Sequence, residues 1–155
     1  MLEKITARPA TDGDYSFGYF AKKAAMKRYI EKTWGWNTEV QKEKYRKYFH
    51  TQNSFVIEYE KLRIGWLEYE DNNEIIEIHQ IFILPKYQHN GIGSMILNNI
   101  INTGKRKKIP VRLQVLKSNP EAKKLYTTLG FMDRGLTDTH IIMEKMYDVS
   151  TAAVS

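Results

Sequence analysis

Residues 81–93 read IFILPKYQHNGIG. An apolar run of strand character breaks at Leu84-Pro85, crosses a polar turn, reaches two glycines and continues as the helix-like GSMILNNIINTG. A connection that only had to reverse the chain would need one glycine. This one is built to hold something.

Outward from that stretch the periods sort the chain. Before it, SFVIEYE, LRIGWLEYE and EIIEIHQIFIL are three segments with a two-residue period, joined by Glu60-Lys61 and by Asp71-Asn72-Asn73, both short enough for hairpins. Earlier still, KITARPA predicts a first strand, and Thr11-Asp12 a cap for a helix over YSFGYFAKKAAMKRYIEK that the motif WGW at 34–36 interrupts. A second helix is expected over residues 39–50, with Val40, Tyr45, Tyr48 and Phe49 at helical spacing. After the glycines, a helix is expected to end at Gly104, ahead of the basic run Lys105-Arg106-Lys107-Lys108, whose cations suit a helix C-terminus. VRLQVL then predicts a strand, Asn119-Pro120 opens a helix that Gly130 closes, and FMDRGLTD and HIIMEKMY complete the set as strands. The order βααβββαβαββ implies an α/β fold: a mixed, mostly antiparallel sheet with helices on both faces.

A chain of 155 residues that is 42% hydrophobic supports one domain with a sizeable core, expected over residues 1–148, with 149–155 as a frayed tail. No run approaches the roughly 20 apolar residues of a membrane span, and MLEKITARPA lacks the layout of a secretory signal. The protein is therefore expected to be soluble and cytoplasmic, with no membrane partner. Zero cysteines exclude disulfides, thiolate zinc sites and cysteine nucleophiles, and the four histidines, at 50, 79, 89 and 140, are too scattered to suggest a metal. A net charge of +6 favours anionic partners.

If a strand ends at Leu84 and a helix starts near Gly91, backbone amides from about Gln88 to Gly93 converge above a helix N-terminus. Such a place suits an anion, and glycines let phosphate oxygens approach the backbone. The spacing is neither GxxxxGK[ST] nor GxGxxG, so the nucleoside triphosphate and dinucleotide motifs are absent. It spells Q-x-x-G-x-G, on Gln88, Gly91 and Gly93. At these residues the chain resembles the GNAT superfamily of acyl-CoA-dependent N-acetyltransferases. A second stretch, LQVLKSNPEAKKLYTTLGF at 113–131, resembles that family's other signature through Asn119, Tyr126 and Leu129-Gly130-Phe131.

The resemblance implies a single-domain GNAT-like fold and acetyl-CoA as co-substrate, with no metal. Its pyrophosphate would lie on Gln88, His89, Asn90, Gly91, Ile92 and Gly93, and its pantetheine arm along Ile81, Phe82 and Ile83, with Asn119 and Tyr126 also beside the cofactor. The reaction implied is attack of a primary amine, on a small molecule or a peptide or protein, on the thioester in a ternary complex. An alkylammonium of pKa about 10.4 must lose a proton first, and the departing thiolate must gain one. Tyr126 is the acid candidate. Gln114 stands where one branch of the family carries a glutamate and cannot be a base; resemblance to the histone acetyltransferase branch instead implies Glu77, eleven residues before Gln88, as the base, and alternation puts His79 on the same face of that strand as a second candidate. Trp34 and Trp36, flanking Gly35 in the junction of the first two helices, are candidate acceptor-binding residues, and Glu31 and Glu39 could add negative charge for an amine. Two other readings stay open: a toxin-like relative acetylating aminoacyl-tRNA, and a non-catalytic acyl-CoA-binding module. No basic stripe interleaved with aromatics stands out, so a nucleic-acid partner is not expected. A homodimer stays open.

Overall fold

The computed structural model describes residues 1–147; the expected tail at 149–155 lies outside the described residues. Seven strands and four α-helices follow in the expected order: β1 (Ile5–Pro9), α1 (Tyr15–Trp34), α2 (Thr38–Tyr48), β2 (Ser54–Tyr59), β3 (Leu62–Asp71), β4 (Ile76–Ile83), α3 (Ile92–Lys107), β5 (Val111–Leu116), α4 (Pro120–Thr128), β6 (Met132–Leu136) and β7 (His140–Lys145). The strands form a mixed sheet in the order β1-β2-β3-β4-β5-β7-β6. By packing, the described chain divides into two compact units, one of Met1–Tyr69 with His79–Gly93, the other of Glu70–Ile78 with residues 94–147.

In the first unit β1, β2 and β3 form an antiparallel meander, Ile5 opposite Tyr59 and Phe55 opposite Leu67, with a bulge between Ile57 and Glu58. Its core gathers Ala10, Ala21, Val56, Trp66 and Phe82, with Phe17, Met26, Phe49 and Leu84 against it. The chain enters α1 through a 3-10 turn at Asp12–Asp14, where Thr11 and Asp14 form a capping box. Asp14 is buried, and its carboxylate accepts two hydrogen bonds from Arg8, at 2.9 and 3.0 Å, one from Arg63 at 3.3 Å and one from the Thr11 amide at 2.9 Å. The Arg8 pairing, despite the cost of burial, holds the Asp14 carboxyl well below the usual carboxylate range. One buried charge thereby ties β1, the entry to α1 and β3 together.

Helix α1 does not stop before WGW. It runs through Trp34 and ends at Gly35, whose φ of +79° a glycine adopts without penalty. Asn37 then caps α2 by accepting from the Val40 amide at 3.0 Å, and α2 ends at Tyr48 rather than His50. Its aromatic face is split: Tyr45 is buried and donates to the Tyr15 carbonyl at 2.8 Å, and Phe49 packs against it at a tilt, whereas Val40 and Tyr48 are exposed.

In the second unit the start of β4 lies parallel to β5, Ile76 opposite Val111 and Ile78 opposite Leu113, and β5 and β6 each pair antiparallel with β7. On α3, Ile92, Ile96, Leu97, Ile100 and Gly104 are buried, a helical stripe, and full burial of each large aliphatic side chain contributes about 1.5–3 kcal/mol. The expected stop at Gly104 is a correction. The helix continues to Lys107, and Gly104 serves close packing: a Cβ there would lie 2.9 Å from the Ile109 carbonyl oxygen and 3.0 Å from Val111. The basic run therefore forms the last turn of α3, where its cations oppose the helix dipole.

Candidate functional site

Two groups of candidate residues emerge, one in each unit. The first begins on β4. Its ladder with β5 covers Ile76, Glu77 and Ile78, yet the strand runs on to Ile83, so Ile81, Phe82 and Ile83 lie beyond that ladder. Phe82 is buried in the aromatic core, and Ile81 and Ile83 are half-buried. A 3-10 turn at Pro85–Tyr87 follows, with Pro85 opening it.

Gln88 contributes less to an anion cradle than its amide position suggested. Its N–H donates to the Pro85 carbonyl at 3.2 Å, and its side-chain amide folds back on the Ile83 carbonyl at 2.8 Å. It braces the loop against the end of β4. The open amides therefore start later. His89 and Gly91 sit at positive φ, +64° and +79°, and Ile92 opens α3, whose first N–H groups have no intrahelical carbonyl. A Cβ at Gly93 would meet nothing within 4 Å, and one at Gly91 only the tip of Leu2 at 3.8 Å. The glycines thus leave an open cradle with backbone donors and the positive end of a helix dipole, an arrangement suited to phosphate. Asn90 and His89 are exposed on its rim, the Asn90 side chain donating to the Gln88 and Tyr87 carbonyls at 3.1 and 3.3 Å.

Trp34 is exposed, with the Lys44 ammonium 5.7 Å from its ring; Trp36 is half-buried, with Lys27 at 6.0 Å. Glu31 lies 4.0 Å from Lys27. The neighbouring polar cluster was not anticipated. Tyr19 meets Tyr45 edge-on at 5.6 Å with its hydroxyl buried and without a hydrogen-bond partner among the described residues, and burial, then Glu39, pushes that phenol up. Burial pushes the Lys22 ammonium down, against the pull of Glu68. The tyrosines at i and i+4 on α1, Tyr15 and Tyr19, were the available signal.

The second group spans β4, β5 and α4. Asn119 is buried, and its side-chain oxygen accepts from the Ala122 amide at 3.1 Å, with Pro120 at the first helical position: it is the N-cap of α4. Tyr126 projects from the last turns of that helix, edge-on to Phe131 at 6.0 Å. Gly130, at φ +96°, turns the chain so that the Phe131 amide returns to the Tyr126 carbonyl at 3.0 Å. The spacing from Asn119 to Phe131 is thus explained locally by a capped helix with a left-handed exit. Burial pushes the Tyr126 phenol up to about 12, and its hydroxyl makes no hydrogen bond among the described residues. Glu77 does not stand alone: Arg112 donates to it at 3.3 Å and to Glu144 at the same distance. His79, two residues on along β4, falls in the first unit and is exposed. Among the described residues no three His, Asp or Glu side chains gather as a metal-binding group, and no helix is long and apolar enough to cross a membrane.

The GNAT acetyltransferase family model matches residues 23–131, and the chain belongs to that family. An uncharacterised N-acetyltransferase from Methanocaldococcus jannaschii is 31% identical over 82 residues, 52% of this chain and 36% of that protein, so the chain spans about a third of this curated relative. Among solved structures, the paia N-acetyltransferase of Thermoplasma acidophilum in complex with coenzyme A is similar with a TM-score of 0.75 at 20% identity, over 92% of this chain and 99% of that one. The spermidine N-acetyltransferase of Vibrio cholerae in complex with coenzyme A and spermine is similar with a TM-score of 0.66 at 21% identity, over 93% and 96%. These similarities bear out the α/β fold and the family read from the two signatures.

Proposed function

We propose that the protein is an N-acetyltransferase carrying acetyl from acetyl-CoA to a primary amine by direct attack in a ternary complex. The observation that carries this reading is the segment from β4 to α3. The strand outruns its β5 ladder, a braced turn follows, and an open double-glycine cradle leads into a helix. A cofactor with a pyrophosphate and an amide-bearing arm needs both features, and coenzyme A has both. The family supports the assignment, as do the similar proteins solved with coenzyme A.

In the reaction the amine loses a proton to Glu77 or His79, or to a water that either orients, and its nitrogen forms a bond to the acetyl carbon. The carbon–sulfur bond breaks and the electron pair leaves on sulfur. Tyr126 stands for the group that meets this charge. With its phenol raised to about 12, complete proton transfer to a thiolate, whose free counterpart has a pKa of about 8.5, runs uphill. The side chain acts instead as a hydrogen-bond donor to the developing thiolate, and solvent supplies the final proton. Arg112 engages one Glu77 oxygen, which leaves the other for water or amine.

The test is thiol release from acetyl-CoA over a panel containing spermidine, free lysine, and peptides with open N-termini. Amine-dependent release with at least one acceptor supports the reading. Binding of acetyl-CoA without release over the whole panel would leave a non-catalytic acyl-CoA-binding module, and absence of binding would remove the cofactor assignment itself.

A further inference from the structure

The net charge of the chain is not spread over it. Residues 15–48, which comprise α1, α2 and their junction, hold nine Lys or Arg and three Asp or Glu, a net +6, while the remainder balances at fifteen of each. The helical pair therefore carries the entire excess. Of its three carboxylates, Glu31 and Glu43 are already matched, with Lys27 at 4.0 Å and Arg46 at 2.5 Å. Lys23, Lys32, Lys42, Lys44 and Lys47 are exposed, and none lies within ion-pair distance of a carboxylate among the described residues.

The same pair exposes planar side chains. Phe20 is 57% exposed, Trp34 56% and Tyr48 66%. Cations stand beside two of these and beside the half-buried Trp36: Lys44 over Trp34 at 5.7 Å, Lys47 over Tyr48 at 5.3 Å and Lys27 over Trp36 at 6.0 Å. Interleaved cations and exposed rings match a ligand that alternates phosphates with flat, unpaired bases. A lipid surface fits less well, because the exposed apolar side chains of the pair are sparse: Phe20 and Trp34 stand towards opposite ends of α1, and α2 adds only Val40 and Tyr48. A duplex hides the faces on which the rings would stack.

We infer that the α1–α2 pair is a docking surface for single-stranded nucleic acid, with Lys42, Lys44 and Lys47 on phosphates and Tyr48 beneath a base. The inference does not rest on acetyl transfer, and its test omits acetyl-CoA. Fluorescence anisotropy with a labelled 20-nucleotide mixed-sequence RNA, and the matching DNA, is followed from about 50 to 300 mM NaCl. Log affinity is expected to fall linearly with log salt, by about 0.7 for each phosphate neutralised. The triple variant Lys42→Glu, Lys44→Glu, Lys47→Glu should bind at least tenfold more weakly at the low end and lose about 2 from that slope. A control of equal charge change, Lys105→Glu, Lys108→Glu, Lys124→Glu, should lose under threefold. Tyr48→Ala should weaken binding about fivefold or more with the slope unchanged, as expected for a stacking platform. All substituted side chains are exposed, and circular dichroism melting verifies folding. Wild-type protein that fails to bind at about 50 mM salt would overturn the inference. So would equal losses in the two triple variants, capture by phosphatidylglycerol vesicles without RNA binding, or displacement of the RNA by saturating coenzyme A, which would assign the charge to the cofactor.

Discussion

Tyr126 has a packing place and a proposed catalytic role, which a single substitution separates. Its ring packs edge-on to Phe131 and its backbone closes the exit of α4, whereas the proposed contact with the leaving sulfur needs its hydroxyl. Tyr126→Phe keeps the first role and deletes the second. The melting temperature and acetyl-CoA affinity should stay near wild type while single-turnover acetyl transfer falls about 10²-fold, the scale of one donor to developing charge. Normal transfer would return Tyr126 to packing alone. For the base, Glu77→Gln should flatten the acidic limb of the pH-rate profile, with His79→Asn as the comparison; loss of that limb in the histidine variant alone would reverse the assignment. The capped helix that carries Asn119 and Tyr126 was legible because helix signals are local. The environment of Glu77 was not, since Arg112 and Glu144 lie 35 and 67 positions away in sequence and only strand pairing brings them near.

At the scale of elements, the alternating segments and turn residues specified all seven strands and four helices in order, because period and punctuation are properties of short windows. The errors fell where one residue type serves two purposes. Gly104 read as a helix stop, yet it sits inside α3 because a backbone carbonyl and Val111 pass too close for a Cβ. Gly104→Ala therefore sets a helix-propensity gain of about 1 kcal/mol against overpacking of typically 1–3 kcal/mol. The variant should lose stability in urea unfolding; a gain would show that the contact yields. Thr11-Asp12 read as the cap, whereas the structure puts Asp14 in the capping box with Thr11 and adds Arg8 from β1 and Arg63 from β3 to its carboxylate. Because its folded carboxyl is depressed, its stabilisation is present above the unfolded value of about 3.9 and is lost as pH falls through the folded one. Asp14→Asn should cost about 2–3 kcal/mol near pH 7, and the gap to wild type should close as pH drops from 5 towards 2. Urea titrations at several pH values measure both.

For the whole molecule, the net charge was read only as a sum, although the expected helices at 15–32 and 39–50 already hold the same nine cations and three carboxylates; what needed the structure was which of those side chains, and which rings beside them, stay exposed. The two family signatures, in contrast, were contiguous stretches, which is why the fold and the family could be read before any coordinates. The central claim is that acetyl-CoA is held by the cradle at residues 88–93. Gly93→Asp tests it cleanly, since the new side chain starts in open space, at a position without positive φ, and places a carboxylate against the phosphates. Calorimetric titration should give wild-type protein a micromolar affinity, about −8 kcal/mol, and saturation at about a hundred times Kd should add about 2.7 kcal/mol of stability. The account predicts that Gly93→Asp folds with an unchanged melting temperature and shows no heat of binding. A Gly93→Asp protein that titrates with acetyl-CoA as wild type does would contradict it.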